Sequence, residues 1–152
     1  LIDEAMAAHG PACSLNHIDV SRVKIFTSVF EGSPFNGDIS EWDTSGATTM
    51  ENMFRNSVFN GDISQWNTSR VESMEGMFED SLFASDIANW DVSNVQTMAY
   101  MFAGSKFNGD ISRWNTCSVK TMLSMFASSQ LNTSNTNRRS LIPIWRCRRY
   151  PL

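Results

Sequence analysis

Residues 59–82 read FNGDISQWNTSRVESMEGMFEDSL, and this stretch recurs along the chain at a fixed interval of 24 residues. Trp42, Trp66, Trp90 and Trp114 mark the period, as do Phe35, Phe59, Phe83 and Phe107. So do Asp38, Asp62, Asp86 and Asp110, and Ile39, Ile63, Ile87 and Ile111. Later in each unit come Met50, Met74, Met98 and Met122, then Met53, Met77, Met101 and Met125, and finally Phe54, Phe78, Phe102 and Phe126. Eight of the nine Met and eight of the ten Phe stand on these columns. The surplus of sulfur and aromatic side chains therefore reports a repeated core and not a cofactor pocket. A weaker copy precedes them, with Leu15, Ile18, Asp19, Ser21, Val23, Phe26, Val29 and Phe30 at the same offsets.

Inside one unit, Val71, Met74, Met77 and Phe78 fall at i, i+3, i+6 and i+7, which predicts a helix of roughly three turns over Ser69–Ser81. Ser69 with Glu72, and Ser93 with Gln96, fit a capping box at its start; Cys117 stands where the fourth unit would place that Ser. Upstream, Ile63–Ser69 carries β-compatible Ile, Trp and Thr, with Trp66 and Thr68 on one face and Gln65 and Asn67 on the other. This predicts a short strand. Phe59-Asn60-Gly61-Asp62 has the chemistry of a turn. The apolar side chains of one unit cannot offset the ordering of 24 residues, so the copies must stack, with paired strands about 4.8 Å apart.

The fold expected from these readings is α/β: a right-handed β/α solenoid of stacked 24-residue repeats, one short parallel strand and one short helix per turn. Residues 1–10 form an N-terminal helical cap, 11–130 the five-repeat solenoid, and 131–152 an atypical basic tail. In that tail Arg138 replaces the next Trp and Trp145 is out of phase.

Charge divides the chain in the same way. Residues 1–137 hold seven basic and sixteen acidic residues, a net charge of −9, while the five remaining arginines, Arg138, Arg139, Arg146, Arg148 and Arg149, lie in the tail. An acidic body argues against nucleic acid as a partner, because phosphate neutralisation needs clustered Lys and Arg. No stretch approaches the roughly 18 apolar residues of a membrane span. The chain opens on Leu1 with no leader pattern, which reads as a fragment or a processed chain. Cys13, Cys117 and Cys147 form no CxxC, and a separation of more than four turns between Cys13 and Cys117 predicts free thiols.

The repeated FNGDISEWDTS, FNGDISQWNTS and FNGDISRWNTC, each followed by a VxxMxxMF-like segment, together with LNHIDVSRV, resemble the BspA-like surface-protein repeats, an atypical leucine-rich-repeat type. The resemblance covers residues 11–130. It implies an extracellular or cell-surface domain, associated with lipoproteins, that takes part in adhesion or protein binding and carries no catalytic residues. Trp is replaced by Ile18 in the first unit, and the chain from Thr133 onward departs from the pattern.

Four candidate sites follow from the residues. The outward side of the strand column would present Glu41, Asp43, Gln65, Asn67, Asn89, Asp91, Arg113 and Asn115 as two polar ladders, the expected partner-binding surface for a protein or cell-surface ligand. The alternative is a merely solvated face. The Asp38, Asp62, Asp86 and Asp110 column could be taken for a calcium ladder, but one carboxylate per 24-residue turn fits capping of local amides better, so no metal and no cofactor are expected. Asn67 and Asn132 begin glycosylation sequons. With no GxSxG, P-loop or oriented His, the expected protein is a non-enzymatic, monomeric interaction domain, or a structural spacer within a larger surface protein.

Overall fold

In the run from Met50 to Ser57 the backbone amides alternate between two destinations. Those of Met50, Asn52, Phe54 and Asn56 donate to the carbonyls of Ser73, Glu75, Met77 and Glu79 in the next unit, at 3.0, 2.9, 2.9 and 2.8 Å. Those of Met53, Arg55 and Ser57 donate three residues back within their own unit, to Met50, Asn52 and Phe54 at 3.3, 3.1 and 3.2 Å. The same alternation binds the unit of Met74 to that of Thr97, and the unit of Met98 to that of Thr121. This computed structural model describes residues 1–130. The expected tail at 131–152, with Asn132, Trp145 and Cys147, lies outside the described residues.

The expected β/α solenoid is therefore corrected. Among the described residues the only helix is α1, Ile2–His9, and no strand forms. Parallel pairing is confined to single-residue bridges, Ser14 with Asp38, and Ile25, Thr49, Ser73, Thr97 and Thr121 in sequence. An α-helix requires each amide to bond four residues back, and here every second amide is committed to the neighbouring unit. The backbone also turns left-handed at every fourth residue of the run: Asn52 and Asn56 have φ of 53° and 54°, Gly76 and Asp80 59° and 53°, Tyr100 and Gly104 58° and 66°. A right-handed helix cannot pass through such residues.

Layer spacing explains why this solution wins. Phe30, Phe54, Phe78, Phe102 and Phe126 stack in one pillar with ring centroids 5.4, 5.7, 5.7 and 5.8 Å apart and ring planes within 6° of parallel. Packed helices need interaxial distances of about 8–10 Å. Layers this close and this parallel leave no room for one helix each. The stripe of Val71, Met74, Met77 and Phe78 is nonetheless fully buried, because successive three-residue turns also return i and i+3 to one side.

The predicted strand over Ile63–Ser69 is likewise a pair of turns. Trp66 N–H donates to the Ile63 carbonyl at 3.2 Å and Val71 N–H to the Thr68 carbonyl at 2.9 Å. The capping box does not form: the Glu72 and Gln96 amides donate to the Thr48 and Glu72 carbonyls one layer away, at 2.8 and 2.7 Å. Cys117 accordingly caps no helix; its own amide donates to Asn115 Oδ1 at 3.2 Å.

A second pillar runs through Phe35, Phe59, Phe83 and Phe107, with spacings of 6.0, 6.4 and 6.2 Å. The two pillars touch within each layer, Phe54 on Phe59 at 4.4 Å and Phe78 on Phe83 at 4.1 Å. The buried Trp indoles tie each layer to the previous one. Trp42, Trp66, Trp90 and Trp114 Nε1–H donate to the carbonyls of Leu15, Ile39, Ile63 and Ile87 at 2.9, 3.1, 3.0 and 3.1 Å. Each bond satisfies an indole donor that would be costly to bury unpaired. At the N-terminal end, α1 lays Ile2, Ala5 and Met6 against this core.

Candidate polar ladders and grooves

The polar ladders stand on the turns that flank each Trp. Glu41, Gln65, Asn89 and Arg113 are exposed, and so are Asp43, Asn67, Asp91 and Asn115, while the intervening Trp42, Trp66, Trp90, Trp114, Thr44, Thr68 and Thr116 are buried. The structure thus brings all eight candidate residues to solvent in two columns, carried by turns and not by a sheet. Thr44 and Thr68 hydroxyls hold the register by donating to the Asn67 and Asp91 carbonyls of the next layer, at 3.1 and 3.0 Å.

The second column is partly occupied with its own backbone. Asp43, Asn67, Asp91 and Asn115 each accept the amide two residues ahead, at 3.0, 3.1, 3.0 and 3.2 Å. The Ser45 hydroxyl, then its amide, holds the Asp43 carboxyl below the usual carboxylate range, and Ser93 does the same for Asp91. Asn67, the first sequon position, is exposed, and its Oδ1 also accepts the Ser69 hydroxyl at 2.7 Å.

The aspartate column of the preceding turn works in the same way. Asp38, Asp62, Asp86 and Asp110 accept the amides of Ser40, Ser64, Ala88 and Ser112 at 3.0, 2.9, 2.9 and 2.8 Å. The amide of Ser40, then its hydroxyl, lowers the Asp38 pKa; the amide and hydroxyl of Ser64 do so for Asp62. These are side chains closing their own turns. Among the described residues no group of three or more His, Cys, Asp or Glu is placed to hold a metal ion. Cys13 is a free, half-buried thiol, whereas Cys117 is disulfide-bonded, which corrects the expectation of free thiols at that position.

Two open grooves lie elsewhere and were not legible as sites in the sequence. One, of about 320 Å³, is lined by Thr48, Arg70, Glu72, Asn94 and Gln96. Its polar groups largely bond one another: Gln96 Nε2 donates to Glu72 Oε2 at 3.2 Å, and Lys120 Nζ to Gln96 Oε1 at 2.8 Å. The other, of about 300 Å³, is lined by Asn52, Arg55, Glu75, Gly76, Glu79 and Tyr100, and holds an Arg55–Glu79 ion pair at 3.2 Å. Tyr100 is the residue that could have pointed there, since it breaks a column otherwise filled by Ser28, Asn52, Gly76 and Ser124. No helix among the described residues is long and apolar enough to cross a membrane.

A family model described as Mycoplasma protein of unknown function, DUF285, matches residues 5–82 and again residues 56–141. No curated protein and no solved structure matches the chain. The two overlapping matches place the boundaries of the similarity across repeat units, as a repeated sequence requires.

Proposed function

We propose a function for this chain from one premise: it belongs to the repeat family described as Mycoplasma protein of unknown function, DUF285. The reading is a non-enzymatic interaction domain, extracellular or held at the cell surface, that binds a protein or cell-surface ligand in the manner of an adhesin. Within the repeat family, the finer kinship is with the BspA-like surface-protein repeats, on the strength of the FNGDIS-x-W segments followed by VxxMxxMF. That kinship also supports the surface location.

The observation that carries the reading is the pair of exposed ladders, Glu41 to Arg113 and Asp43 to Asn115, held at constant spacing by the ring pillars beneath them. A rigid row of identical spacing offers an extended partner several equivalent contacts, so that weak individual contacts add. The test is an array of glycans and purified extracellular proteins probed with the chain and with an Asp43→Lys, Asp91→Lys variant. Saturable binding lost in the variant, with unchanged unfolding, supports the reading; saturable binding indifferent to it moves the site to one of the grooves.

A spacer domain with no ligand of its own is the competing reading. It is favoured by the engagement of Asp43, Asn67, Asp91 and Asn115 with their own turns. Absence of saturable binding to every member of the array would favour the spacer.

A further inference from the structure

Two departures from the repeat in one column build the groove of about 300 Å³. Ser28, Asn52, Gly76, Tyr100 and Ser124 all turn left-handed, with φ between 51° and 59°. Glycine adopts that backbone freely and small polar residues adopt it at modest cost, but a bulky aromatic there is strained. Burial does not account for Tyr100, which is 37% exposed. Strain of this kind concentrates where a side chain has a task to perform. The amides of Asn52, Gly76 and Tyr100 donate to the Glu75, Ala99 and Leu123 carbonyls at 2.9, 2.8 and 2.8 Å, which fixes the three residues in successive layers. Gly76 is therefore a gap with the Asn52 carboxamide on one side and the Tyr100 ring on the other. A Cβ on Gly76 would clash with Asn52 Oδ1 and would meet Glu79 Oε2 at 3.4 Å, so two acceptor oxygens converge over bare backbone. Arg55 Nε holds Glu79 Oε2 at 3.2 Å. Glu75 is exposed and accepts the Thr97 hydroxyl at 3.3 Å, and among the described residues no cation pairs with it.

We propose that this groove seats an arginine side chain presented by a protein partner. With Arg55 committed to Glu79, the groups left to meet a ligand are the Glu75 carboxylate, Asn52 Oδ1 and the face of the Tyr100 ring, which are acceptors and a π-surface. A guanidinium answers all three at once: it is planar, so it lies on the ring over Gly76, and it carries five N–H donors that fork to a carboxylate and a carbonyl oxygen. An ammonium has the charge without the plane. An anion would face two carboxylates, and a neutral sugar would leave the charge of Glu75 uncompensated. The acidic body, with a net charge of −9 over residues 1–137, draws a basic partner toward this site. The proposal does not rest on the polar ladders: none of their eight residues lines the groove.

The test titrates the full chain with glycyl-arginyl-glycine blocked at both ends, and with its lysine and citrulline counterparts, by calorimetry at physiological ionic strength. Exposed charges further apart than about 8 Å are then largely screened. The expected result is saturable binding of the arginine peptide, weaker binding of the lysine peptide and binding about tenfold weaker for citrulline, which keeps the shape and loses the charge. Glu75→Gln weakens the arginine peptide about tenfold, whereas Asp91→Asn, which removes the same charge from a ladder, leaves it unchanged. Tyr100→Ser restores the residue found at Ser28 and Ser124; it weakens binding about two- to fivefold and leaves Tm unchanged or higher. Absence of saturable binding, parity of the arginine peptide with either counterpart, or equal losses in the Glu75 and Asp91 variants overturns the proposal. A fall in Tm on Tyr100→Ser overturns the part given to Tyr100, since it would make the ring a packing element. Loss of ladder-dependent binding in the array with the arginine peptide still bound would leave this site standing by itself.

Discussion

The inner layers and the last described layer are built from nearly the same 24 residues, yet they are not equally buried. In the layers of Phe54, Phe78 and Phe102 the Met and Phe columns are sealed from solvent. In the last described layer Val119, Met122 and Phe126 are only partly buried, and Leu123 is 59% exposed. The first layer, against which α1 packs, keeps Phe26 and Phe30 buried, but Ile18, Val23 and Val29 are partly buried and Ile25 is 66% exposed, so both end layers are less sealed than the inner ones. Each layer is held by its neighbours more than by itself, and the same residue changes its energetic weight with its place in the stack.

The sharpest way to test that contrast is to empty one site of the Phe pillar at two heights. Phe78→Ala removes a ring stacked on Phe54 and Phe102, and should cost about 3–5 kcal/mol in urea unfolding. Phe126→Ala, on the half-open layer, should cost less than half as much; equal costs would refute neighbour-dependent stability. Next in size is the indole tie. Trp66→Phe shrinks the buried ring and removes the indole bond to the Ile39 carbonyl, which keeps only the Trp42 amide, a loss of about 1–3 kcal/mol.

Glycine makes a smaller and more local comparison. Gly76 has φ of 59°, and a Cβ there would clash with Asn52 Oδ1; Gly32, on the first layer, has φ of 64° and open space around it. Gly32→Ala should therefore cost only the left-handed backbone strain, about 1–2 kcal/mol, and Gly76→Ala that strain plus displacement of the Asn52 side chain, read as a larger drop in Tm.

The smallest expected effect is that of pH. The lowered pKa values of Asp19, Asp38, Asp43, Asp62 and Asp91 mean that their contribution is complete above the unfolded carboxylate value of 3.8 and is lost as pH falls through the lower folded values. Thermal unfolding between pH 5 and pH 7 should be insensitive to these groups and should decline only in acid; a decline starting near neutrality would contradict their role as turn closures.

What could be read in advance was the register. The columns of Trp, Phe, Met and Ile fixed which residues share a core, and the alternation around Trp66 and Thr68 placed Gln65 and Asn67 outside. What could not be read was how the backbone satisfies itself between them. The i, i+3, i+6, i+7 spacing of Val71, Met74, Met77 and Phe78 suits a helix and a run of tight turns equally, since both return the chain every three or four residues. A hint lay in the columns Ser28, Asn52, Gly76, Ser124 and Gly32, Asn56, Asp80, Gly104, Ser128, rich in residues that tolerate positive φ, with Tyr100 the exception. The grooves were hidden for a different reason: they depend on which off-pattern side chains, Arg70 and Tyr100 among them, meet across layers.

The amino-acid sequence by itself determined the 24-residue period, the membership of the core, the acidic character of the body and that the chain belongs to a repeat family. Tertiary structure alone decided that each layer is made of turns instead of a strand and a helix. The reason lies in the spacing: stacked rings hold the layers closer than two helices can approach, so the amides that would have closed helices turn to the carbonyls of the next layer.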